Sequence, residues 1–312
     1  MRTQTLGRTG IEVGIVGLGA AWLGHQRGSR QIDETLGAAT VHAALEAGST
    51  LIDTAQLYGG GASERIIGRA LRERPDLAQS AVVTTKCGRQ PRGYNYEADA
   101  IRRSIEVSLE KLGLERIEIV FIHDAMGVPK EKVLGEQYAL GALRRLQKDG
   151  IVRHVGCALN DPDPNAEYIA TGEFDAAVVP EAWSLLNQYA EERILPAAEK
   201  HNVGLICATP LERGILAAGL VEGEDYMARN FSERCIEQVR KIQRLCQRYE
   251  IPLAAASLQW CVRRPPFAAA IPGARNPEEA RSNSLAGQAA VPDDFWDDLE
   301  PLIQHFEAGV DR

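Results

Sequence analysis

What the chain lacks narrows its chemistry before any motif is read. There is no block of lysine and arginine: 35 basic and 43 acidic side chains, net charge −8, are spread along 312 residues. The electrostatic footprint of a nucleic-acid or anionic-membrane binder is therefore missing. No run approaches the roughly 18 apolar residues of a membrane span, and the start, Met1-Arg2-Thr3-Gln4-Thr5, has no apolar signal region. A cytoplasmic location is expected, and the Asn230-Phe231-Ser232 sequon is then a chance match, because glycosylation requires secretion. The cysteines (Cys87, Cys157, Cys207, Cys235, Cys246, Cys261) lie far apart without a Cys-x-x-Cys, and a chain this large needs no disulfide staples, so they read as reduced thiols. The histidines (His25, His42, His123, His154, His201, His305) are scattered without ligand spacing, and no metal is expected. A Walker loop and a Gly-x-Ser-x-Gly elbow are absent too. With no repeat, no low-complexity linker and 45% hydrophobic residues, residues 1–312 read as one globular domain.

What is present is an alternation. Short β-branched runs recur between longer stretches of helical periodicity, the signature of parallel βαβ units. The strand candidates are Val13–Val16, Thr50–Asp53, Ala81–Thr85, Glu118–His123, Val152–Gly156, Ala176–Val179, Gly204–Ala208 and Ala268–Ile271. Eight parallel strands close a barrel. Between them, Ile101, Ile105, Leu109 and Leu112 recur on one helical face, with Gly113 as the stop. Asp33-Glu34 opens the first such helix and Gly48 closes it. Leu6-Gly7-Arg8-Thr9-Gly10 joins two short runs as an N-terminal hairpin that caps the barrel bottom. The stretch between the seventh and eighth strands exceeds one helix and two loops, so a segment around Gly214 to Phe231 is expected to cross the top face. The predicted architecture is an α/β fold, a (β/α)8 TIM barrel with an N-terminal hairpin and extra C-terminal helices.

Barrel enzymes carry reactive groups at the C-terminal ends of their strands. The second strand delivers Asp53 and a loop bearing Tyr58-Gly59, the third delivers Lys86, and the fourth delivers His123 and Asp124. Taken singly, each of these is more often a solvated charge, a cap or a packed ring than a catalyst. As a set on three neighbouring strands they make chemical sense. A phenol with a pKa of about 10 is a sluggish acid at neutral pH, and an ammonium beside it favours the phenolate. Lys86 would supply that ammonium, with Asp53 keeping it charged and oriented. His123 can donate to a substrate oxygen, so with Tyr58 it makes a two-donor site for a developing alkoxide, in which single donors are typically worth about 10²- to 10³-fold in rate.

The stretch Ile52-Asp53-Thr54-Ala55-Gln56-Leu57-Tyr58-Gly59, then Thr85-Lys86, then Ile122-His123-Asp124, resembles the Asp, Tyr, Lys, His tetrad of the aldo-keto reductases in order and spacing. The resemblance extends over nearly the whole chain. It includes Arg102-Arg103-Ser104 to Leu112-Gly113-Leu114, Gly150 to Gly156, Thr209-Pro210-Leu211-Glu212-Arg213-Gly214, and Ile271-Pro272-Gly273-Ala274-Arg275-Asn276-Pro277. It implies hydride transfer between a nicotinamide cofactor and a carbonyl or hydroxyl carbon, with Tyr58 as acid/base.

Gly17-Leu18-Gly19-Ala20-Ala21-Trp22 begins like a dinucleotide fingerprint, but Trp22 stands at the third glycine position, where its ring would block close helix–strand packing. The Rossmann reading is rejected. In the barrel reading this loop, with Gly19 and Ala20, lies beside the nicotinamide end, and Trp22 is a substrate wall. The resemblance further assigns Asp53 and Asn160 to the nicotinamide end and Thr209, Leu211, Arg213 and Gly214 to a pyrophosphate loop. It places Ile271, Gly273, Arg275, Glu279 and Asn283 toward the adenosine end. The chain departs from the usual pattern where Ala158 replaces a Ser, Pro180 a Gln and Ala208 a stacking aromatic. Gly273 replaces the Lys that many members use for the 2′-phosphate. Arg275 suits that phosphate as a bidentate donor, whereas Glu279 suits a bare ribose. NADP is favoured slightly over NAD.

The segment from Asp124 to Leu143 and the Gly156-Cys157-Ala158-Leu159-Asn160 turn look like the branch containing aldose 1-dehydrogenases, such as those acting on L-fucose or other aldoses. Trp22, Tyr58, His123 and Asp124 are then the substrate contacts. A broad aldehyde or ketone reductase is the alternative, and a non-catalytic regulatory NADP-binding subunit a further one. The implied partner is a small carbonyl or sugar, and monomer and homo-oligomer are equally open.

Overall fold

A computed structural model of the chain describes residues 1–25, 31–90, 93–221, 226–227 and 229–307. Eight parallel strands follow one another around a nearly closed barrel: Leu18–Gly19, Leu51–Asp53, Val82–Cys87, Ile117–His123, Val152–Ala158, Ala176–Val179, Gly204–Ala208 and Phe267–Ile271. Single parallel bridges, Val16 to Ala270 and Gly19 to Gly273, bring the last strand beside the first.

The first strand differs from the expectation. The Val13–Val16 run does not form it. Glu12–Gly14 instead pairs antiparallel with Thr3–Thr5, and Leu18–Gly19 takes the barrel position. The reason is steric: a Cβ at Gly17 would lie 2.7 Å from the Leu51 carbonyl oxygen, and one at Gly19 would lie 2.7 Å from that of Ile271. Only glycine lets this backbone wedge between the second and eighth strands. The glycines that imitate a dinucleotide fingerprint are there to close the barrel.

Two apolar layers hold the fold. Inside the barrel Leu51, Ile119, Phe121, Val178, Ile206 and Ile271 interdigitate, and Leu6, Ile11 and Val13 of the hairpin plug the lower end. Outside, the helices bury a larger layer that includes Ile66, Ile101, Ile105, Leu143 and Leu258. Local signals set the helix ends. Asp33 caps Glu34–Glu46 by accepting from the backbone N–H groups of Thr35 and Leu36, and Gly113, left-handed at φ 68°, ends Ala98–Leu112. After the seventh strand come short turns over Glu212–Gly214 and Ile215–Ala218, then the helices Glu233–Arg248 and Leu253–Cys261. The segment expected to cross the top face lies in part, at 222–225 and 228, outside the described residues. Beyond the eighth strand are Pro277–Ala286, Asp293–Leu299 and a turn at Glu300–Leu302. Among the described residues no helix is long and apolar enough to cross a membrane.

Candidate active site

Three neighbouring strand ends deliver the reactive groups. Asp53 ends the second strand with its carboxylate buried; Oδ2 accepts from Lys86 Nζ at 2.5 Å and Oδ1 accepts from Thr84 Oγ1 at 3.0 Å. Lys86 also donates to the Thr54 carbonyl at 2.8 Å, so two acceptors hold one buried ammonium.

Tyr58 opens a short turn over Tyr58–Gly61 in which Gly59, Gly60 and Gly61 all have positive φ, at 58°, 62° and 92°. Three consecutive left-handed residues are affordable only as glycine. They set Tyr58 at the cavity and start the helix Ala62–Glu73 immediately after. Lys86 Nζ lies 4.8 Å from the centre of the Tyr58 ring. The His123 ring stands perpendicular to that ring, with centroids 6.1 Å apart. His123 is buried, and its Nδ1 has no hydrogen-bond partner among the described residues. Its carbonyl accepts from the Tyr96 hydroxyl at 2.8 Å.

The electrostatics partly revise the expectation. Burial is the largest influence on Tyr58 and raises its pKa; Lys86 pulls it down but does not overcome that effect. For Lys86 burial works downward, yet Asp53 and Tyr58 together outweigh it and the pKa is raised. The ammonium therefore stays charged. His123 is pushed well below the usual histidine range by burial first, then by Lys86 and Arg89, which makes it a neutral donor. All six cysteines are buried and unbridged, and burial raises the Cys87 thiol to about 12, far from a reactive thiolate at neutral pH.

These groups open into one cavity of about 1000 Å³ across the barrel mouth, at the upper end of the range for small-molecule sites, about 300–1000 Å³. It is lined by Asp53, Tyr58, Lys86 and His123, and also by Trp22 and Asn160. Gly19, Ala20 and Ile271 line it as well, as do Thr209, Leu211, Arg213, Gly214, Gly273, Arg275, Glu279 and Asn283. The positions where the chain departs from the usual pattern, Ala158, Pro180 and Ala208, line the same cavity. The donor chemistry fits an extended, phosphate-bearing cofactor. Arg213, left-handed at φ 57°, lines the cavity, and its terminal nitrogen reaches Glu181 at 3.2 Å, while its Nε is buried with no acceptor among the described residues. A guanidinium on a cavity wall suits an anionic oxygen of such a group.

Two assignments need correction. Asp124, expected to touch substrate, does not line the cavity. It is 1% exposed, and its oxygens are taken by the Asn160 backbone N–H at 3.0 Å, the Asn160 side-chain amide at 3.1 Å, and Arg89. Arg275, expected to be open to a 2′-phosphate, is engaged by Glu279: its backbone N–H donates to that carboxylate at 2.9 Å, its NH2 group at 2.9 Å and its Nε at 3.2 Å. The argument for NADP loses its support there.

Sequence reasoning also missed cavity residues. His25 meets Trp22 edge-on, with ring centroids 5.4 Å apart. Glu181, at φ 53°, binds both Arg213 and Arg229. Its position, one residue past Pro180 at the end of the sixth strand, was the available signal.

A parallel barrel whose C-terminal strand ends gather a phenol, a buried ammonium–carboxylate pair and a neutral imidazole beside a long cofactor-sized cavity belongs to the class of barrel oxidoreductases. The aldo/keto reductase family profile matches residues 15–304. The chain is 27% identical to a pyridoxal 4-dehydrogenase of Microbacterium luteolum, covering 95% of this chain and 96% of that protein. It is 26% identical to a D-threo-aldose 1-dehydrogenase of a Pseudomonas species, over 93% and 94%. Among solved structures, the holo form of an aldo-keto reductase from Bacillus halodurans superposes with a TM-score of 0.78 at 23% identity, over 99% and 98% of the two chains. The chain belongs to the aldo/keto reductase family, and it is an oxidoreductase acting between CH–OH and carbonyl groups. The family's cofactor is NAD(P)H.

Proposed function

We propose that this oxidoreductase oxidises the anomeric hydroxyl of an aldose, using NAD in preference to NADP, with Tyr58 as the acid/base. The observation that carries the chemistry is the convergence of Tyr58, Lys86 and His123 on one cavity, with Lys86 held by Asp53. The similarity to an aldose 1-dehydrogenase supports the substrate class, as does a cavity lined by the aromatic Trp22 and His25 together with the polar Asn160.

Asn160 would hold the nicotinamide end, Arg213 and the Thr209 to Gly214 loop the pyrophosphate, and Glu279 the adenosine ribose. Nicotinamide dinucleotide, when bound, supplies the hydride acceptor or donor. The protein's own groups handle the proton. In oxidation the Tyr58 oxygen takes the hydroxyl proton, and the adjacent Lys86 ammonium favours the phenolate. In reduction the neutral phenol returns the proton to the alkoxide oxygen. His123, neutral because it is buried, donates to the same oxygen without adding a charge. Glu279 supports NAD: its carboxylate repels a 2′-phosphate and already occupies the Arg275 fork that would otherwise receive one.

The test is a panel of aldoses, aldehydes and ketones assayed with both coenzymes in both directions, read by the absorbance of the reduced coenzyme. Highest kcat/KM for aldoses with NAD is the expected result. A clear preference for simple aldehydes or ketones overturns the substrate assignment and favours a broad reductase.

A further inference from the structure

Three residues beyond Lys86 the chain folds into a small hairpin, with Arg89–Gln90 paired antiparallel to Gly93–Tyr94. Gly88 just before it sits at φ 94°, and a Cβ there would lie 2.2 Å from the Tyr96 ring. That same Tyr96 holds the His123 carbonyl. From the hairpin the Arg89 guanidinium pairs with Asp124 Oδ2. Asp124 is left-handed at φ 49°, a conformation that non-glycine residues adopt at a cost, and here it sets the carboxylate against Asn160. One oxygen takes the Asn160 backbone N–H at 3.0 Å, and the oxygen that faces Arg89 takes the side-chain amide at 3.1 Å. His123 Nε2 is 3.7 Å from that second oxygen.

We infer that Arg89 is a positioning residue for the reaction proposed above: by occupying Asp124 Oδ2 it locks Asn160 in place at the cavity and leaves the His123 Nε2–H for the substrate oxygen. The inference rests on that reading for the role of His123, though not for its substrate. The groups around His123 are Asp124 beside it, Arg89 from the hairpin, Lys86 from the third strand with its partner Asp53 from the second, and Tyr58 from the loop above. Lys86 cannot replace Arg89 at Asp124, because its ammonium is already bound to Asp53 and to the Thr54 carbonyl. Without Arg89 a buried carboxylate would keep an open lone pair beside an imidazole. It would then draw the Nε2–H toward itself and favour the imidazolium. Two effects act in one direction, since the variant also loses a cation that disfavours protonated His123.

The experiment compares Arg89→Met and Arg89→Lys in the full chain. The titration of His123 is followed by NMR with isotope-labelled histidine, the signal being assigned by its loss in His123→Gln. In the Met variant the His123 pKa should rise by about 1 to 3 units, and the Lys variant should stay near the parent. In parallel, kcat/KM of the Met variant should fall most at acid pH and recover toward alkaline pH. A loss of activity equal at every pH with an unmoved His123 would mean that Arg89 only pins the hairpin, and would overturn the inference. Should Arg89→Met not fold, Arg89→Gln carries the same expectation. The titration needs neither substrate nor coenzyme, so a shifted His123 in an enzyme that ignores aldoses sinks the substrate proposal alone.

Discussion

The Lys86 ammonium lies 2.5 Å from the Asp53 carboxylate, and the two side chains are only 2% and 3% exposed. Taking both charges out of water costs several kcal/mol for each ion, which their attraction offsets only when the geometry is good and the remaining donors and acceptors are satisfied. Here Thr84 and the Thr54 carbonyl satisfy them. The pair is better understood as orienting a cation beside Tyr58 than as a source of stability.

Breaking the pair should nevertheless be expensive. Lys86→Met leaves Asp53 buried without its cation, and a loss of about 3–5 kcal/mol in urea unfolding is expected. The pH dependence gives a second check. Because the folded pKa of Lys86 lies above its unfolded value, the stabilisation is complete below about pH 10 and fades as pH rises through the folded value. Stability should therefore decline more steeply at strongly alkaline pH in the parent than in the Met variant. Parallel declines would show that folding leaves the Lys86 pKa unshifted.

Tyr58→Phe removes the hydroxyl proposed as proton donor and little else. We expect kcat to drop by about 10²- to 10⁴-fold in either direction, with coenzyme binding, read by quenching of protein fluorescence, within a factor of about two. In the parent, oxidation should accelerate as pH rises toward the raised pKa of the phenol, while reduction should not. Full activity in the Phe variant would remove Tyr58 from the proposed mechanism.

His123 should tie stability to mildly acidic pH. Its folded pKa lies well below that of the unfolded chain, so the unfolded state takes up the proton first as pH falls below about 6.5, and stability drops with it. Above that pH both states are neutral and the contribution is flat. His123→Gln should reduce the slope of unfolding free energy between about pH 6.5 and pH 5, each unit of pKa difference being worth about 1.4 kcal/mol. An unchanged slope would place the proton elsewhere.

Glu279→Gln tests coenzyme choice. The substitution removes a charge that repels phosphate and loosens the fork of Arg275. The kcat/KM ratio for NADP over NAD should rise by at least about tenfold, equivalent to 1.4 kcal/mol. An unchanged ratio would mean that the 2′ position is not read at Glu279.

Much was legible from local pattern. Apolar runs with β-branched residues mark strands because a buried parallel strand shows both faces to apolar neighbours, and Asp33 and Gly113 mark helix ends because unsatisfied backbone groups must find partners. The polar residues at strand ends could be read off as well, since the polar residue comes where the apolar run stops. The Val13–Val16 run misled for the same reason: a strand that plugs a barrel and one that belongs to it have the same periodicity.

By itself, then, the amino-acid order determined the alternation of elements, the barrel, and the presence of Asp53, Tyr58, Lys86 and His123 at or just beyond three neighbouring strand ends. Three-dimensional packing decided the rest. Whether Gly17 and Gly19 cradle a phosphate or wedge between strands depends on backbone atoms of Leu51 and Ile271 far along the chain. Whether Asp124 meets substrate or Asn160 depends on a left-handed turn, and whether Arg275 is open to phosphate depends on a carboxylate one helical turn away. Periodicity records which face of an element is buried, but a charged side chain's partner is set by through-space distance, and only the closed barrel brings those partners together.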